Sequence, residues 1–219
     1  MTIISVVSAL GVLMFTAVSA GSRSATIQIV ALGDSTTAGT PGFRSPIEAP
    51  PDGSGDETSQ YAFWLMRAHP DWIVLNRGVN GERSDQIRAR FERDVIRNSP
   101  AAVVIIAGVN DIYQGRTVEE VTAQLQAMYS RAAEARVPVV AGSIIPFNTA
   151  TPEQNRRMRQ VNDWIRGQPN VAFVDTRGAV SAAGNPDALF ESPDGLHPTA
   201  AGYRRMAEAI APSIQRVLR

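Results

Sequence analysis

Short apolar runs alternate along the chain with segments in which apolar residues recur at helical spacing. The runs predict strands at residues 27–32, 72–75, 101–107, 137–145 and 171–174. The helical segments predict helices at residues 61–69, 84–98, 117–135, 152–166 and 199–218. Apolar strands that alternate with helices are typical of a parallel sheet covered on both faces. The pattern therefore predicts an α/β three-layer sandwich with a central five-stranded parallel sheet.

Several of the predicted helices carry recognisable signals at their ends. Pro70 follows the first helix, and Ser84 is a candidate N-cap of the second. Thr117 and Glu120 fit a capping box at the start of the third helix. Pro212 falls inside the last helix and is expected to bend or break it.

The segment of residues 40–60 departs from this alternation. It is rich in proline, glycine and acidic residues and shows no periodicity. A structureless loop of this length is uncommon inside a compact domain and is often a functional lid. Two interpretations stay open, a segment that shapes the substrate site and a surface insertion without function.

The N-terminal segment indicates export. Residues 3–18 are almost entirely apolar or small, and Val18-Ser19-Ala20 precedes Gly21 in the small-x-small pattern that signal peptidase cleaves. The run is shorter than the roughly 18–20 apolar residues of a membrane span, although no basic residue precedes it. We predict a cleaved signal peptide at residues 1–20, one domain at residues 21–219, and a periplasmic or extracellular protein. An uncleaved anchor and a misassigned start codon are the alternatives.

Charge and composition exclude several function classes. The 219 residues carry 21 basic and 21 acidic side chains, a net charge of zero that gives no basic footprint for nucleic acid. Arginines between residues 83 and 97 alternate with acidic residues, which predicts a solvated helix face with local ion pairs. The chain has no cysteine, so disulfides, thiolate metal sites and a cysteine nucleophile are excluded.

Only two histidines are available for acid–base chemistry near neutral pH. His69 ends a predicted helix, where the helix dipole favours it, and is interpreted as structural. His197 follows the turn sequence Asp194-Gly195, which can bring the aspartate carboxylate to the imidazole Nδ1. That contact would fix the tautomer and leave Nε2 free to accept a proton. The Asp194–His197 pair is therefore the candidate acid–base pair, although local capping is an equally ordinary use of the motif.

The candidate nucleophile is Ser35, just past the first predicted strand. Gly33 permits a tight turn that would place the serine at the carboxyl edge of the sheet, where ligands bind in such folds. The surrounding sequence is not the Gly-x-Ser-x-Gly elbow of α/β-hydrolases, because Thr37 stands where the second glycine belongs. A loop rich in serine and threonine with local capping is the alternative interpretation.

Two further strand ends carry candidate hydrogen-bond donors. The second strand is followed by residues 76–82, with Gly78 and Gly81, and the third by residues 108–111, with Asn110. Ester hydrolysis passes through an oxyanion that requires preorganised donors. A glycine amide and an asparagine side chain suit that task, because both donate without bringing a charge.

Taken in order, these blocks resemble the SGNH hydrolases, also called the GDSL esterase/lipase family. The blocks are Gly-Asp-Ser after the first strand, a glycine after the second, Gly-x-Asn-Asp after the third, and Asp-x-x-His-Pro before the last helix. They span residues 33–198. The resemblance implies a flavodoxin-like fold, Ser35 as nucleophile, His197 as base and Asp194 as its orienting acid. It also implies an oxyanion hole formed by the Ser35 amide, the Gly81 amide and the Asn110 side chain.

Two positions depart from the family pattern or leave a choice. Thr36 replaces the leucine of the family's name, a change that should not affect the chemistry. Gly78 competes with Gly81 for the second block, and Gly81 is preferred because it lies later in the loop before a polar stretch. Asp34, Asp111 and Asp175 are alternative acids; the first two adjoin motif residues and are expected to position loops.

The resemblance implies a carboxylic ester hydrolase that works through an acyl-enzyme, without metal or cofactor. Short acyl esters, acetylated carbohydrate and lysophospholipid are the substrate classes considered, with short acyl chains preferred because no apolar tunnel is evident. The expected partner is a small-molecule or carbohydrate ester, with no nucleic acid and no stable membrane partner once the leader is removed; the oligomeric state stays open. An O-acyltransferase and a non-catalytic carbohydrate-binding protein are the alternative functions.

Overall fold

The computed structural model describes residues 26–219, so the predicted signal peptide at residues 1–20 lies outside the described residues. Within the described range the strands are β1 (Ile27–Gly33), β2 (Phe43–Arg44), β3 (Ser54–Gly55), β4 (Trp72–Gly78), β5 (Ala102–Ile106), β6 (Val139–Gly142), β7 (Val171–Val174), β8 (Ser181–Ala182) and β9 (Asn185–Leu189). The α-helices are α1 (Ser35–Ala38), α2 (Tyr61–Ala68), α3 (Ser84–Ala89), α4 (Phe91–Asp94), α5 (Val109–Tyr113), α6 (Val118–Glu134), α7 (Pro152–Arg166), α8 (Thr176–Val180) and α9 (Ala200–Val217).

Five strands form one parallel sheet in the order β4-β1-β5-β6-β7. The prediction of a three-layer α/β/α sandwich with a five-stranded parallel sheet is confirmed. Strand β1 lies between β4 and β5, so the loops that follow these three strands meet at the same edge of the sheet. That edge is where open parallel sheets bind ligands.

The alternation of side chains along β1 divides the core into two layers. Val30 and Leu32 pack in a cluster with residues of α3, α6 and α7. Ile29 and Ala31 point to the opposite face and pack with residues of α2 and α9. Because β1 is covered on both faces, its sequence is apolar from Ile29 onward, and that of β5 is apolar throughout.

Residues 84–98 do not form the single helix that the sequence predicted. They form α3, α4 and a 3₁₀ turn at Ile96–Asn98, and the N-cap of α3 is Arg83 rather than Ser84. Ser84 lies inside the helix because its hydroxyl and amide both bind the Asp111 carboxylate. The break falls at Arg90, which is buried and donates to the carbonyls of Gly33 and Arg77. The predicted solvated face is therefore wrong at this arginine.

Other elements differ in length from their predictions. Strand β6 ends at Gly142, because Ile144 leaves the sheet to pair its amide and carbonyl with the Asn162 side chain. Strand β4 instead continues to Gly78. The helix α9 runs through Pro212 without interruption, so a break at this proline is wrong. The capping box of Thr117 and Glu120 is confirmed at the start of α6.

The 40–60 segment is not structureless. It contains the antiparallel pair β2–β3 and a 3₁₀ turn at Glu57–Ser59. Side chains tie it to the domain at both ends, since Tyr203 donates to the Thr40 carbonyl and Trp64 donates to the Thr58 carbonyl. The sequence also missed α8 and the β8–β9 hairpin, which separate β7 from the last loop.

No helix within residues 26–219 is both long enough and apolar enough to cross a bilayer.

Candidate active site

The turn that carries Ser35 is fixed by its two preceding residues. A Cβ on Gly33 would lie 2.2 Å from Thr37 Oγ1 and 2.3 Å from the Ile106 carbonyl oxygen, so only glycine fits. Asp34 caps α1, because its carboxylate accepts a hydrogen bond from the Thr36 amide at 2.9 Å. Ser35 is therefore held at the carboxyl edge of β1 and is only 5% exposed.

The last loop brings an imidazole to this serine. His197 Nε2 lies 2.9 Å from Ser35 Oγ, and His197 Nδ1 lies 2.7 Å from Asp194 Oδ2. The three side chains are thus within hydrogen-bond reach in the order serine, histidine, aspartate, although 162 residues separate the first two. This arrangement can transfer the serine proton to Nε2 while the carboxylate holds the Nδ1 proton.

Hydrogen bonds within the loop hold the aspartate and the histidine in place. Asp194 Oδ1 accepts from the amides of Leu196 and His197, both at 2.9 Å. Ser192 Oγ donates to the His197 carbonyl at 2.7 Å. Desolvation raises the pKa of Asp194, but the hydrogen bonds from the His197 ring and the two amides outweigh it and hold the pKa below its ordinary value of 3.8. The carboxyl is therefore ionised at neutral pH and accepts the proton of Nδ1.

The loop after β4 leaves one amide free to bind a ligand oxygen. The amides of Val79 and Asn80 donate to the Gly33 carbonyl and to Glu48 Oε1. The amide of Glu82 donates to the Val79 carbonyl. The Gly81 amide donates to no acceptor within residues 26–219, and the same holds for the Ser35 amide.

Gly78 has a different role from Gly81. A Cβ on Gly78 would lie 2.0 Å from the Ala38 nitrogen, so this glycine allows α1 to pack against β4. Its amide donates to Asn76 Oδ1 at 3.0 Å, and its carbonyl accepts from Ser45 Oγ at 2.6 Å. Gly81 is exposed and has a φ of +76°, with nothing near its Cβ position.

Asn110 faces this loop from the first turn of α5. Its Nδ2 donates to the Glu82 carbonyl at 2.9 Å, which fixes the plane of the side-chain amide. An amide nitrogen carries two hydrogens, so one donor is still available for a ligand. The adjacent Asp111 is buried and accepts from Ser84, so it joins α5 to α3.

A cleft of about 170 Å³ lies beside these groups. It is lined by Ser35, Thr36, Asn80, Val109, Asn110, Tyr113, Phe147, Leu196 and His197. Sequence reasoning missed its apolar walls, of which Tyr113 is 57% exposed, Leu196 is 38% exposed and Phe147 is buried. The rings of Tyr113 and Phe147 meet edge to face at 5.8 Å between centroids. Tyr113 and Leu196 lie within or next to the motif blocks, but an apolar residue there carries no chemical signal of its own.

The other candidate groups lie elsewhere. His69 stacks on Trp72 with 3.9 Å between ring centroids and does not line the cleft. Asp175 caps α8, where it accepts from the Gly178 amide and from Ser143 Oγ. Among residues 26–219, no three His, Asp or Glu side chains converge in a way that could hold a metal ion.

Asp34 is an ionisable group enclosed directly beside the serine. It is 1% exposed, and its Oδ2 has no hydrogen-bond partner within residues 26–219. Burial raises the pKa of Asp34 from 3.8 to about 7, against the opposing effect of the Thr36 hydrogen bonds. The protonated carboxyl is therefore the form that the fold prefers.

We expect Asp34→Asn to unfold at a higher urea concentration than the wild type at pH 8, with a difference that disappears near pH 4. The pKa of Asp34 is higher in the folded than in the unfolded protein, so the neutral carboxyl stabilises the fold. This stabilisation is complete below about pH 4 and is lost as the pH rises through about 7. The difference between the unfolded pKa of 3.8 and the folded pKa of about 7 corresponds to on the order of 4 kcal/mol in the free energy of unfolding. The exposed Asp52→Asn is the matched control. A difference between Asp34→Asn and the wild type that does not change with pH would contradict the assignment.

Comparison with protein families gives a match over most of the chain. Residues 31–205 match the model of the GDSL-like lipase/acylhydrolase family. The matched range contains the serine turn, the two donor loops and the Asp194–His197 loop.

Two characterised relatives are esterases by name. An acetylxylan esterase from Geobacillus stearothermophilus is 29% identical over 157 residues, which cover 62% of this chain and 69% of the relative. The esterase TesA from Pseudomonas aeruginosa is 26% identical over 149 residues, which cover 68% of this chain and 72% of the relative.

Solved structures share the fold. A G-D-S-L family protein from Desulfitobacterium hafniense DCB-2 superposes with a TM-score of 0.72 at 21% identity, covering 86% of this chain and 99% of that one. A TesA crystal structure superposes with a TM-score of 0.69 at 21% identity, covering 87% and 99%. The sequence match over residues 31–205, together with these shared folds, shows that the chain belongs to the GDSL-like lipase/acylhydrolase family of serine ester hydrolases.

Proposed function

We propose that this protein hydrolyses short-chain acyl esters through an acyl-enzyme on Ser35. The observation that carries the proposal is the contact of Ser35 Oγ with His197 Nε2 at 2.9 Å, beside a cleft of about 170 Å³. His197 accepts the serine proton as Oγ attacks the acyl carbon, and Asp194 stabilises the imidazolium that forms. His197 then returns the proton to the leaving alcohol, and a water molecule activated in the same way releases the acid.

The negative charge that develops on the carbonyl oxygen is assigned to three donors. These are the amides of Ser35 and Gly81 and the remaining hydrogen of Asn110 Nδ2. The two amides have no other acceptor within the described part of the chain, and the Asn110 amide is already oriented by Glu82. Donors that are fixed before the reaction stabilise an oxyanion without reorganising in the transition state.

The size of the cleft supports a short acyl group. Phe147 closes one side of it, and Tyr113 packs edge to face on that ring. A cavity of this volume is below the roughly 300–1,000 Å³ of sites that enclose larger ligands. A long acyl chain would therefore extend into solvent.

The rim of the cleft supports acetylated carbohydrate over lysophospholipid. Tyr113 presents an exposed ring beside Ser35, and such a ring offers a flat apolar surface with a polar tip on which the faces of a sugar can lie. The related Geobacillus protein is named an acetylxylan esterase. We therefore propose an acetyl ester of a carbohydrate as the substrate class.

The p-nitrophenyl ester series tests the acyl preference. We expect kcat/KM to fall at least about 10-fold from acetate to octanoate, because a chain too long for the cleft beside Phe147 displaces the ester carbonyl from its reactive position. Phe147→Leu should raise the octanoate-to-acetate ratio about 3- to 10-fold. Phe91→Leu, a substitution of similar burial in the same core cluster, should leave the ratio unchanged. A wild-type rate that increases steadily toward long chains would refute the short-chain proposal.

We also propose export directed by residues 1–20. The apolar run and the Val18-Ser19-Ala20 pattern support it. N-terminal sequencing of the secreted protein should begin at Gly21, whereas an intact Met1 or retention in the cytoplasm would contradict export.

A further inference from the structure

The 40–60 segment contacts the loop that carries Gly81. Glu48 Oε1 accepts a hydrogen bond from the Asn80 amide at 3.0 Å. Two residues earlier in the same loop, the Gly78 carbonyl accepts from Ser45 Oγ at 2.6 Å. Neither contact is predictable from the local sequence, because 32 and 33 residues separate the partners.

Glu48 is itself held in position by hydrogen bonds to Arg44 and Ser45 in its own segment. Its amide donates to the Ser45 carbonyl at 3.0 Å, and its Oε2 accepts from the Ser45 amide at 3.3 Å. Arg44 Nη2 donates to the Glu48 carbonyl at 3.1 Å. Ser45 is fully buried, so the turn that presents the carboxylate is anchored in the domain.

The Gly81 peptide depends on such contacts because packing does not fix it. Nothing lies within 4 Å of a Cβ built on Gly81, and the residue is exposed at a φ of +76°. Glycine is the residue with the widest backbone freedom, so its amide direction must be set by its neighbours. On one side the Asn80 amide is bound by Glu48, and on the other the Glu82 carbonyl is bound by Asn110.

We infer that Glu48 is a positioning residue for the Gly81 donor. The inference rests on the proposed function, in which the Gly81 amide stabilises the oxyanion. The carboxylate fixes the Val79–Asn80 peptide, which directly precedes the peptide that carries the Gly81 N–H, and so restricts the direction of that N–H. Through Glu48, the 40–60 segment then holds the loop after β4 that carries the Gly81 amide.

The hydrogen-bond acceptor, and not the negative charge, is what this role requires. A negative charge near a developing oxyanion opposes it, so the charge of Glu48 brings no advantage to the reaction. The substitution Glu48→Gln keeps a carbonyl oxygen at the same reach, whereas Glu48→Ala removes the acceptor. The E48Q and E48A variants therefore separate positioning from charge.

Kinetics with p-nitrophenyl acetate test the inference. We expect E48A to lower kcat about 10- to 50-fold with KM within about twofold, because a displaced donor weakens binding of the transition state but not of the substrate. The loss should be smaller than the about 10²–10³-fold fall in kcat that follows complete removal of an oxyanion donor. E48Q should stay within about threefold of the wild type. E57A, which removes an exposed carboxylate from the same segment, should match the wild type. Equal rates for E48A and E57A, or an E48Q rate as low as that of E48A, would overturn the inference.

Hydrogen–deuterium exchange supplies a readout that does not depend on activity. The Asn80 amide should exchange faster in E48A than in E57A, and E48Q should restore its protection. Unchanged exchange in E48A would overturn the inference even if the rate fell. Should the wild type and Ser35→Ala hydrolyse the ester equally, the proposed function fails, and the exchange result still decides whether Glu48 holds this loop.

Discussion

Replacing Ser35 with alanine is expected to lower kcat/KM for p-nitrophenyl acetate by about 10⁴- to 10⁶-fold. The hydroxyl is the group within 2.9 Å of His197 Nε2, and its loss leaves no atom to form the acyl-enzyme. The residual rate should reflect binding and the oxyanion donors, which act without the nucleophile. The measurement is a steady-state rate on purified variants, with circular dichroism as a check of the fold.

The matched control for this substitution is Ser130→Ala. Ser130 is an exposed serine on α6, and among the described residues its hydroxyl has one hydrogen-bond partner, the Gln126 side-chain amide, from which it accepts. Its replacement should leave the rate unchanged. If Ser35→Ala retained the wild-type rate, the nucleophile would have to be another residue, and the roles given to His197 and Asp194 would fall with it.

The second large effect is expected for His197→Ala, which should lower kcat by about 10⁴-fold or more. Without the imidazole, the serine hydroxyl has no base within hydrogen-bond reach in the described part of the chain. The double variant with Ser35→Ala should be no slower than either single variant, because residues that act as one unit are not additive. Rates are measured with the same ester over a range of enzyme concentrations.

The other histidine of the chain is the natural control. His69 lies at the end of α2 and stacks on Trp72, so His69→Ala should keep the wild-type kcat. Multiplicative losses in the double variant would show that Ser35 and His197 act independently. That outcome would exclude proton transfer between them.

Local sequence signals predicted most of the fold because they depend on neighbours along the chain. The central strand β5 is apolar on both faces and is buried at every residue. The capping boxes before α6 and α7 lie within a few residues of each helix start. Where the prediction was wrong, a distant group decided the structure, as when Arg90 interrupts residues 84–98 to bind the Gly33 carbonyl.

The residues of the candidate site likewise fall into those that carry a local sequence signal and those that do not. Ser35 and Asn110 stand in short motifs after parallel strands, which end at one edge of the sheet, and Asp194 and His197 form a short motif in the loop before α9. Phe147 and Glu48 carry no local signal, because an apolar residue after a strand and an acidic residue in a loop are ordinary. Their positions against the cleft and against Asn80 follow only from the packed domain.

Covalent labelling of the wild-type protein with a fluorophosphonate tests the central claim most directly. Such a reagent phosphonylates an activated serine through loss of fluoride, and tryptic cleavage after arginine gives a peptide of residues 24–44 that contains Ser35. We expect one phosphonyl group per chain, located on Ser35 by fragmentation and lost in His197→Ala. An unlabelled protein, or a label on a different serine, would contradict the assignment of Ser35 as the nucleophile.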